Sequence, residues 1–558
     1  MNTFTKVFYI IILGLLTTTL VIAQPSSLKK AGKSLFVLKT FDETNRLIGS
    51  ANGFYVGSNG EGVSCYHPMK GAYRAVVIGS DGKEHNVECI LGANETYDVV
   101  KFKVADVKSL PLTTYSSTLQ NGSLVWQMPQ KDIKKVKMGI VRRVEKFNTD
   151  YDYYTVSLKM AVNTGGSPLF NDEGFVVGIM ERPAFEGDTL SYAVSSVFAS
   201  DLKINGLSIN DPTLRAIHIK KDLPQEVEQA VVTLYLGAST QDSTTYSTMI
   251  NEFIKRFPTS PDGYYYRALQ SFKRSDFAAI QKDMELSIRL TEKKDVSHYN
   301  YSRFIYEKEI QKAQLPFETW SLDKALTEAQ EAYAFNPLPE YRHQQAVVLF
   351  AQQKFQEASD IYSELSKGPL RSPVIFHEAS RCRIMMGDTI GQLALLDSAL
   401  ATFNRPFLRD AAPYLLVRSQ AYLTAGKYRE AVLDLNEYEG LMKNQLNDRF
   451  YYLRHQADIG GRLFQQALND INKAIELRPD YDVYLSEKAS LLVRVGMLED
   501  AVNTAQQLIE VSPMQSDGFL FLGLAQCLKG EKTEGLINLR KALDMGDPQA
   551  EDLMKRFE

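Results

Sequence analysis

An all-β domain followed by an all-α repeat region is the fold class that this 558-residue sequence predicts. Three observations predict it. From Ser34 to about Leu202 the chain breaks into short apolar or β-branched runs bounded by turn residues, with no helical pattern between them. From about Leu223 the hydrophobic period becomes helical and stays so to the C-terminus. Within that second stretch small and apolar residues recur at a fixed interval: Ala467, Ala501 and Gly535 stand 34 residues apart, as do Ala474, Leu508 and Ala542, and Pro479 and Pro513.

The first region's strands are read from Ser34-Leu35-Phe36-Val37-Leu38, Gly53-Phe54-Tyr55-Val56, Ala75-Val76-Val77-Ile78-Gly79 and Gly174-Phe175-Val176-Val177-Gly178-Ile179. Two turns, Ser80-Asp81-Gly82-Lys83 and Asn171-Asp172-Glu173-Gly174, are hairpin connections in type. Closely spaced strands of this kind make a sandwich or a barrel, and alternation alone does not choose between them.

In the second region small residues fall where two helices touch, and proline falls where the second helix ends. The segment Gln420-Ala421-Tyr422-Leu423-Thr424-Ala425-Gly426-Lys427-Tyr428-Arg429-Glu430-Ala431 resembles a tetratricopeptide (TPR) repeat, with Gly426, Tyr428 and Ala431 at the turn and second-helix positions. Looser copies surround Phe355 and Ala358, Gly387, and Phe277, where Ile280 replaces the family's alanine. The expectation is a superhelix of about seven or eight helical hairpins, since one hairpin cannot bury its own apolar face. Ser297 to Trp320 fits the pattern poorly and is read as an insertion or a degenerate repeat. The resemblance implies a concave face that receives a peptide or a partner protein.

Lys6, an apolar run from Val7 to Ala23 and then Gln24-Pro25 describe a secretory signal over residues 1–23. The expected organisation is that signal, a β domain over 34–202, a linker over 203–222 and helical repeats over 223–558. A net charge of −4, with no basic run, gives no reason to expect nucleic acid. No other segment is expected to span a membrane, so the product is expected to be exported: periplasmic, outer-membrane-associated or secreted. Cys65, Cys89, Cys382 and Cys527 are too scattered for a disulfide framework or a metal site. Cys65 and Cys89 are read as buried free thiols, with a pairing between them the other option. Neither a cofactor nor a metal is expected, because no phosphate-cradling glycine loop or metal-ligand spacing is present.

Chemistry, if there is any, belongs to the β domain. Gly49-Ser50-Ala51-Asn52-Gly53-Phe54-Tyr55-Val56, then Gly62-Val63-Ser64-Cys65-Tyr66-His67, then Tyr97-Asp98-Val99-Val100-Lys101-Phe102 resemble, in order and spacing, an HtrA-like serine protease of trypsin fold. Leu190-Ser191-Tyr192-Ala193-Val194-Ser195-Ser196 resembles the strand that closes that domain. The resemblance implies a trypsin-like double β-barrel, with His67 and Asp98 at the positions of the catalytic histidine and aspartate. A histidine that takes a proton from a hydroxyl needs its tautomer and orientation fixed by a carboxylate.

The nucleophile position departs from the family. Counting back from Pro168 without a gap, Gly165 stands where the family's loop has its serine, and glycine has no side chain with which to attack a carbonyl. Anchoring Ala161-Val162-Asn163 from the left instead makes Ser167 the nucleophile at the cost of a two-residue deletion, with Pro168 restricting its backbone. Thr164 has no base arranged for it. The gap-free register implies an inactive peptidase domain, which with the repeats would make a protein-binding scaffold in a cell-envelope or secretion assembly. The shifted register implies a serine endopeptidase using His67, Asp98 and Ser167, with the repeats recruiting its substrates or partners.

Overall fold

The computed structural model describes residues 25–558 apart from 130–132, 149, 184, 186 and 444. The expected signal, residues 1–23, lies outside the described residues. The chain divides into two compact units, residues up to 292 and residues 293–558.

The first unit opens with two closed antiparallel barrels of six strands each. Strands β1 (Leu35–Phe41), β2 (Leu47–Tyr55), β3 (Glu61–Ser64), β4 (Arg74–Ile78), β5 (Glu84–Asn94) and β6 (Val99–Val104) form the first, in the order β1-β2-β3-β6-β5-β4. Strands β7 (Leu124–Gln127), β8 (Lys137–Phe147), β9 (Tyr151–Ser157), β10 (Pro168–Phe170), β11 (Val176–Met180) and β12 (Ser191–Ser195) form the second, in the order β10-β11-β12-β9-β8-β7. Both expected turns are present. Gly82 donates its N–H to the Gly79 carbonyl between β4 and β5, and Gly174 donates to the Asn171 carbonyl between β10 and β11. Barrel rather than sandwich follows from pairings distant in sequence, such as Val37 with Ile78 and Ser64 with Val100.

A shared apolar core joins the barrels. Phe54, Val63 and Val99 from the first pack with Trp126, Phe170, Ile179 and Val194 from the second, and Leu28 of the N-terminal turn is buried among them. Residues 203–222, expected as a linker, form a strap across the first barrel. Ile204, Leu214, Ile217 and Ile219 join its core, and His218 and Asp222 donate backbone N–H groups to Ala72 and Ile90. Each such side chain contributes about 1.5–3 kcal/mol by leaving water.

Helical hairpins follow. Two of them, from Val227 to Leu290, belong to the first unit; seven more and a final helix, Pro548–Phe557, make up the second. Among the described residues this gives nine hairpins where the sequence pattern predicts seven or eight. Helix starts are set locally: the side chains of Asp242, Asp276, Asp388 and Asn447 accept N–H groups of the first turn. The 34-residue series marks tight helix crossings. A Cβ on Gly535 would lie 2.4 Å from Cys527 Sγ and 2.8 Å from the Gly523 carbonyl oxygen.

Of the two readings of Ser297 to Trp320, an insertion or a degenerate repeat, the helices agree with the second. The stretch supplies most of an 18-residue first helix, Lys294–Gln311, and the loop that leads to its partner, Leu322–Phe335. Buried serines stand where the repeat pattern would put alanine, and Ser302 donates its hydroxyl to the Ala325 carbonyl at 2.7 Å.

A recurring ion pair ties hairpins together. Arg267, Arg418 and Arg454 on first helices each make a two-pronged contact with an aspartate 16 residues on, namely Asp283, Asp434 and Asp470. Arg454 also reaches back to Glu439 at 2.6 Å and Asn436 at 2.9 Å on the preceding hairpin. Removing one partner leaves a buried charge uncompensated. Asp470→Ala should therefore destabilise the helical unit by about 3 kcal/mol, whereas Arg454→Met with Asp470→Leu should recover most of that loss. Urea denaturation followed by circular dichroism measures both.

Candidate functional site

The candidate residues gather where the two barrels meet. After β3 the chain turns through Cys65 and Tyr66 into a short helical turn, His67–Met69, with Pro68 at its start. Asp98 precedes β6 with φ at +47°, a left-handed position that aspartate tolerates better than most residues. The two are joined through the backbone: the His67 N–H donates to Asp98 Oδ1 at 2.7 Å, and the Tyr66 N–H donates to the Asp98 carbonyl at 3.2 Å. The His67 side chain is exposed, and among the described residues its ring makes no ion pair or hydrogen bond with the Asp98 carboxylate. The pair expected from sequence is adjacent: His67 lines the cleft, and against the raising effect of burial its charge lowers the pKa of the Asp98 carboxyl.

The loop from Ala161 to Ser167 is fixed from both barrels. Thr164 donates its N–H to the Ala161 carbonyl, Gly166 to Met180, and Met180 returns a bond to Ser167. From the first barrel, Asn52 on β2 donates its backbone N–H to the Gly165 carbonyl at 2.9 Å. Its side-chain amide donates to the Asn163 carbonyl and to Ser167 Oγ, each at 3.2 Å. Ser64 holds the Asn52 carbonyl in turn at 2.6 Å. Glycine is required at 166: its φ is +79°, and a Cβ there would lie 2.1 Å from the Asn52 carbonyl oxygen.

Gly165 and Ser167 therefore occupy different environments. Gly165 lines a cleft of about 410 Å³ together with Ile48, Ser50, Cys65, His67, Lys70, Asn163 and Arg182. Ser167 is fully buried, does not line that cleft, and donates its single hydroxyl hydrogen to the Thr164 carbonyl. The structure brings His67, Asp98 and Gly165 together and sets Ser167 behind the loop.

Three residues of the site had no role assigned from sequence beyond packing. The Cys65 thiol fills the space beside Gly165, with Sγ 2.9 Å from where a Cβ on Gly165 would be, and burial raises its pKa well above the ordinary thiol value. Glu181, directly after β11, accepts a hydrogen bond from the Tyr153 hydroxyl at 3.0 Å. Burial pushes its carboxyl up to about 7, opposed by the Tyr153 bond and reinforced by the negative charge of Asp98. Asp98 is itself raised by burial, against the lowering effect of the His67 and Arg182 backbone N–H groups. Asn52 is the third. It lies inside the quoted strand motif, but nothing in a single sequence separates a clamp from an ordinary strand residue.

All four cysteines are free and buried, so Cys65 and Cys89 are not paired. Among the described residues no group of three or more His, Cys, Asp or Glu side chains is arranged to hold a metal ion, and no helix is long and apolar enough to cross a membrane.

Residues 51–179 match the trypsin-like peptidase domain family. Among solved structures, the HtrA-type protease AlgW with a tripeptide is 18% identical, the similarity covering 31% of this chain and 60% of that one with a TM-score of 0.27. The active form of the Rv3671c protease from M. tuberculosis is 15% identical over 32% of this chain and 86% of that one, also with a TM-score of 0.27. Small glutamine-rich tetratricopeptide repeat-containing protein 2 of Saccharomyces cerevisiae is 28% identical over 93 residues, or 17% of this chain. That match spans only 27% of the yeast protein's length.

Glu181 should make stability depend on pH. Its folded value, about 7, lies above the ordinary 4.5, so its contribution is full below about 4.5 and is lost as pH rises through 7. Glu181→Gln should melt at a higher temperature than the unaltered protein at about pH 8.5, with a gain on the order of 1–3 kcal/mol, and show little difference at about pH 4.5. Thermal melts at the two pH values check this.

Proposed function

We propose that this chain is an exported protein-binding scaffold whose trypsin-like domain retains the cleft of a peptidase without its nucleophile. The observation that carries the proposal is the contrast at the loop. The cleft beside His67 is lined by Gly165, while the hydroxyl of Ser167 is buried and bonded to Thr164. The exposed His67 ring and the protonated Cys65 thiol agree with a site no longer organised for proton transfer to a hydroxyl. Export, to the periplasm, the outer membrane or the exterior, rests on the signal-like residues 1–23. The helical repeats supply the surface for a protein partner, consistent with their partial similarity to a TPR protein. A place in a cell-envelope or secretion assembly follows from combining an exported address with two binding domains.

A labelled fluorophosphonate tests the reading against a serine endopeptidase acting through Ser167. The folded protein should remain unlabelled, and labelling abolished by Ser167→Ala would overturn the proposal. Ser167→Ala should instead act on stability, costing about 1–2 kcal/mol as Asn52 loses an acceptor, with peptide binding unchanged. Gly165→Ser alone should be strained by about 1–3 kcal/mol against Cys65 and the Arg182 backbone, and Cys65→Ala should relieve the part due to sulfur, as read by the melting temperatures of the single and double variants.

A further inference from the structure

The side chains that line the cleft are unbalanced in charge. His67, Lys70 and Arg182 face it, and no carboxylate does. Lys70 contacts Glu95 at 2.7 Å, but both groups are about half exposed, where such a pair holds weakly. The Arg182 guanidinium makes no hydrogen bond or ion pair among the described residues, and the side chain is exposed. The nearest acids, Asp98 and Glu181, lie outside the lining. The first is held by the backbone N–H groups of His67 and Arg182 and feels the Arg182 charge without a direct ion pair, and the second is bonded to the Tyr153 hydroxyl. Ile48 of β2 lines the same cleft, is 42% exposed and offers apolar contact to a neighbouring residue of the ligand.

We infer that the cleft takes an acidic peptide, with a carboxylate of the ligand seated between Arg182 and Lys70 beside His67. The inference rests on the reading of the cleft as a peptide-binding site and names the chemistry of what it binds. An exposed guanidinium without a direct hydrogen-bonded partner is suited to this, because its planar fork meets a carboxylate with two parallel hydrogen bonds at little desolvation cost. The carboxylate could belong to an Asp or Glu side chain or to a chain terminus, and the two sources are separable.

The test is fluorescence anisotropy on the full chain with three rhodamine-labelled peptides of equal length. One carries internal glutamates and an amidated end, the second has glutamine in their place and a free terminal carboxylate, and the third has glutamine and an amidated end. The glutamate peptide should bind on the order of five- to tenfold more tightly than the third, and the difference should shrink as salt rises from about 50 to about 500 mM. Arg182→Gln, which removes the charge without adding a third acid beside Asp98 and Glu181, should abolish the preference, with a melting curve confirming that the variant is folded. A gain confined to the second peptide would assign the carboxylate to a chain terminus and exclude side-chain recognition. Equal binding of all three would overturn the acidic preference while leaving peptide binding intact. Binding of none would overturn the peptide-binding reading as well.

Discussion

Asn52 is the contact on which the site's geometry depends. It is a β2 residue of the first barrel, yet its backbone N–H and side-chain amide are directed to Gly165, Asn163 and Ser167 of the second. A loop with two adjacent glycines, Gly165 and Gly166, would otherwise sample many conformations. Fixed this way, it presents Gly165 to the cleft and keeps Ser167 inside. The Ser167 hydroxyl closes the loop on itself by donating to the Thr164 carbonyl and accepting from the Asn52 amide.

The surroundings of Gly165 are mutually consistent. With no side chain at 165, the Cys65 sulfur has room beside it, and burial keeps that sulfur protonated. Two carboxyl groups, Asp98 and Glu181, stand close enough for each to raise the cost of ionising the other, a situation in which a shared negative charge is avoided near neutral pH. A working acid–base relay needs a fixed carboxylate on an oriented imidazole. Here the carboxylate accepts the His67 backbone N–H, and the exposed His67 side chain lines the cleft.

Much of this was legible in the sequence where the signal is local. The β runs and both hairpin turns follow from alternation and turn residues, and the repeats from their 34-residue spacing. What was not legible depends on long-range pairing. Closure into barrels requires Val37 to meet Ile78, which no local pattern encodes. The strap at 203–222 reads as a linker because its four core residues are spaced irregularly among Asn, Asp, Gly and Pro. The hairpin containing Ser297 was obscured because buried serines replaced the expected small apolar residues. At the site, order and spacing singled out His67, Asp98 and Gly165; His67 and Gly165 line one cleft, and the His67 N–H bonds Asp98. Glu181 was not, since an acid after an apolar run reads as a solvent-facing strand end.

The strap also bears on how the chain matures during synthesis. The first barrel's strands leave the ribosome before the second's, but Ile204, Leu214, Ile217 and Ile219, which complete its core, are made only after the second barrel's last strand. The barrel translated first is thus the last to be sealed. Its apolar interior lacks these four side chains until the second barrel has emerged, and transiently exposed apolar surface of that kind is prone to aggregate.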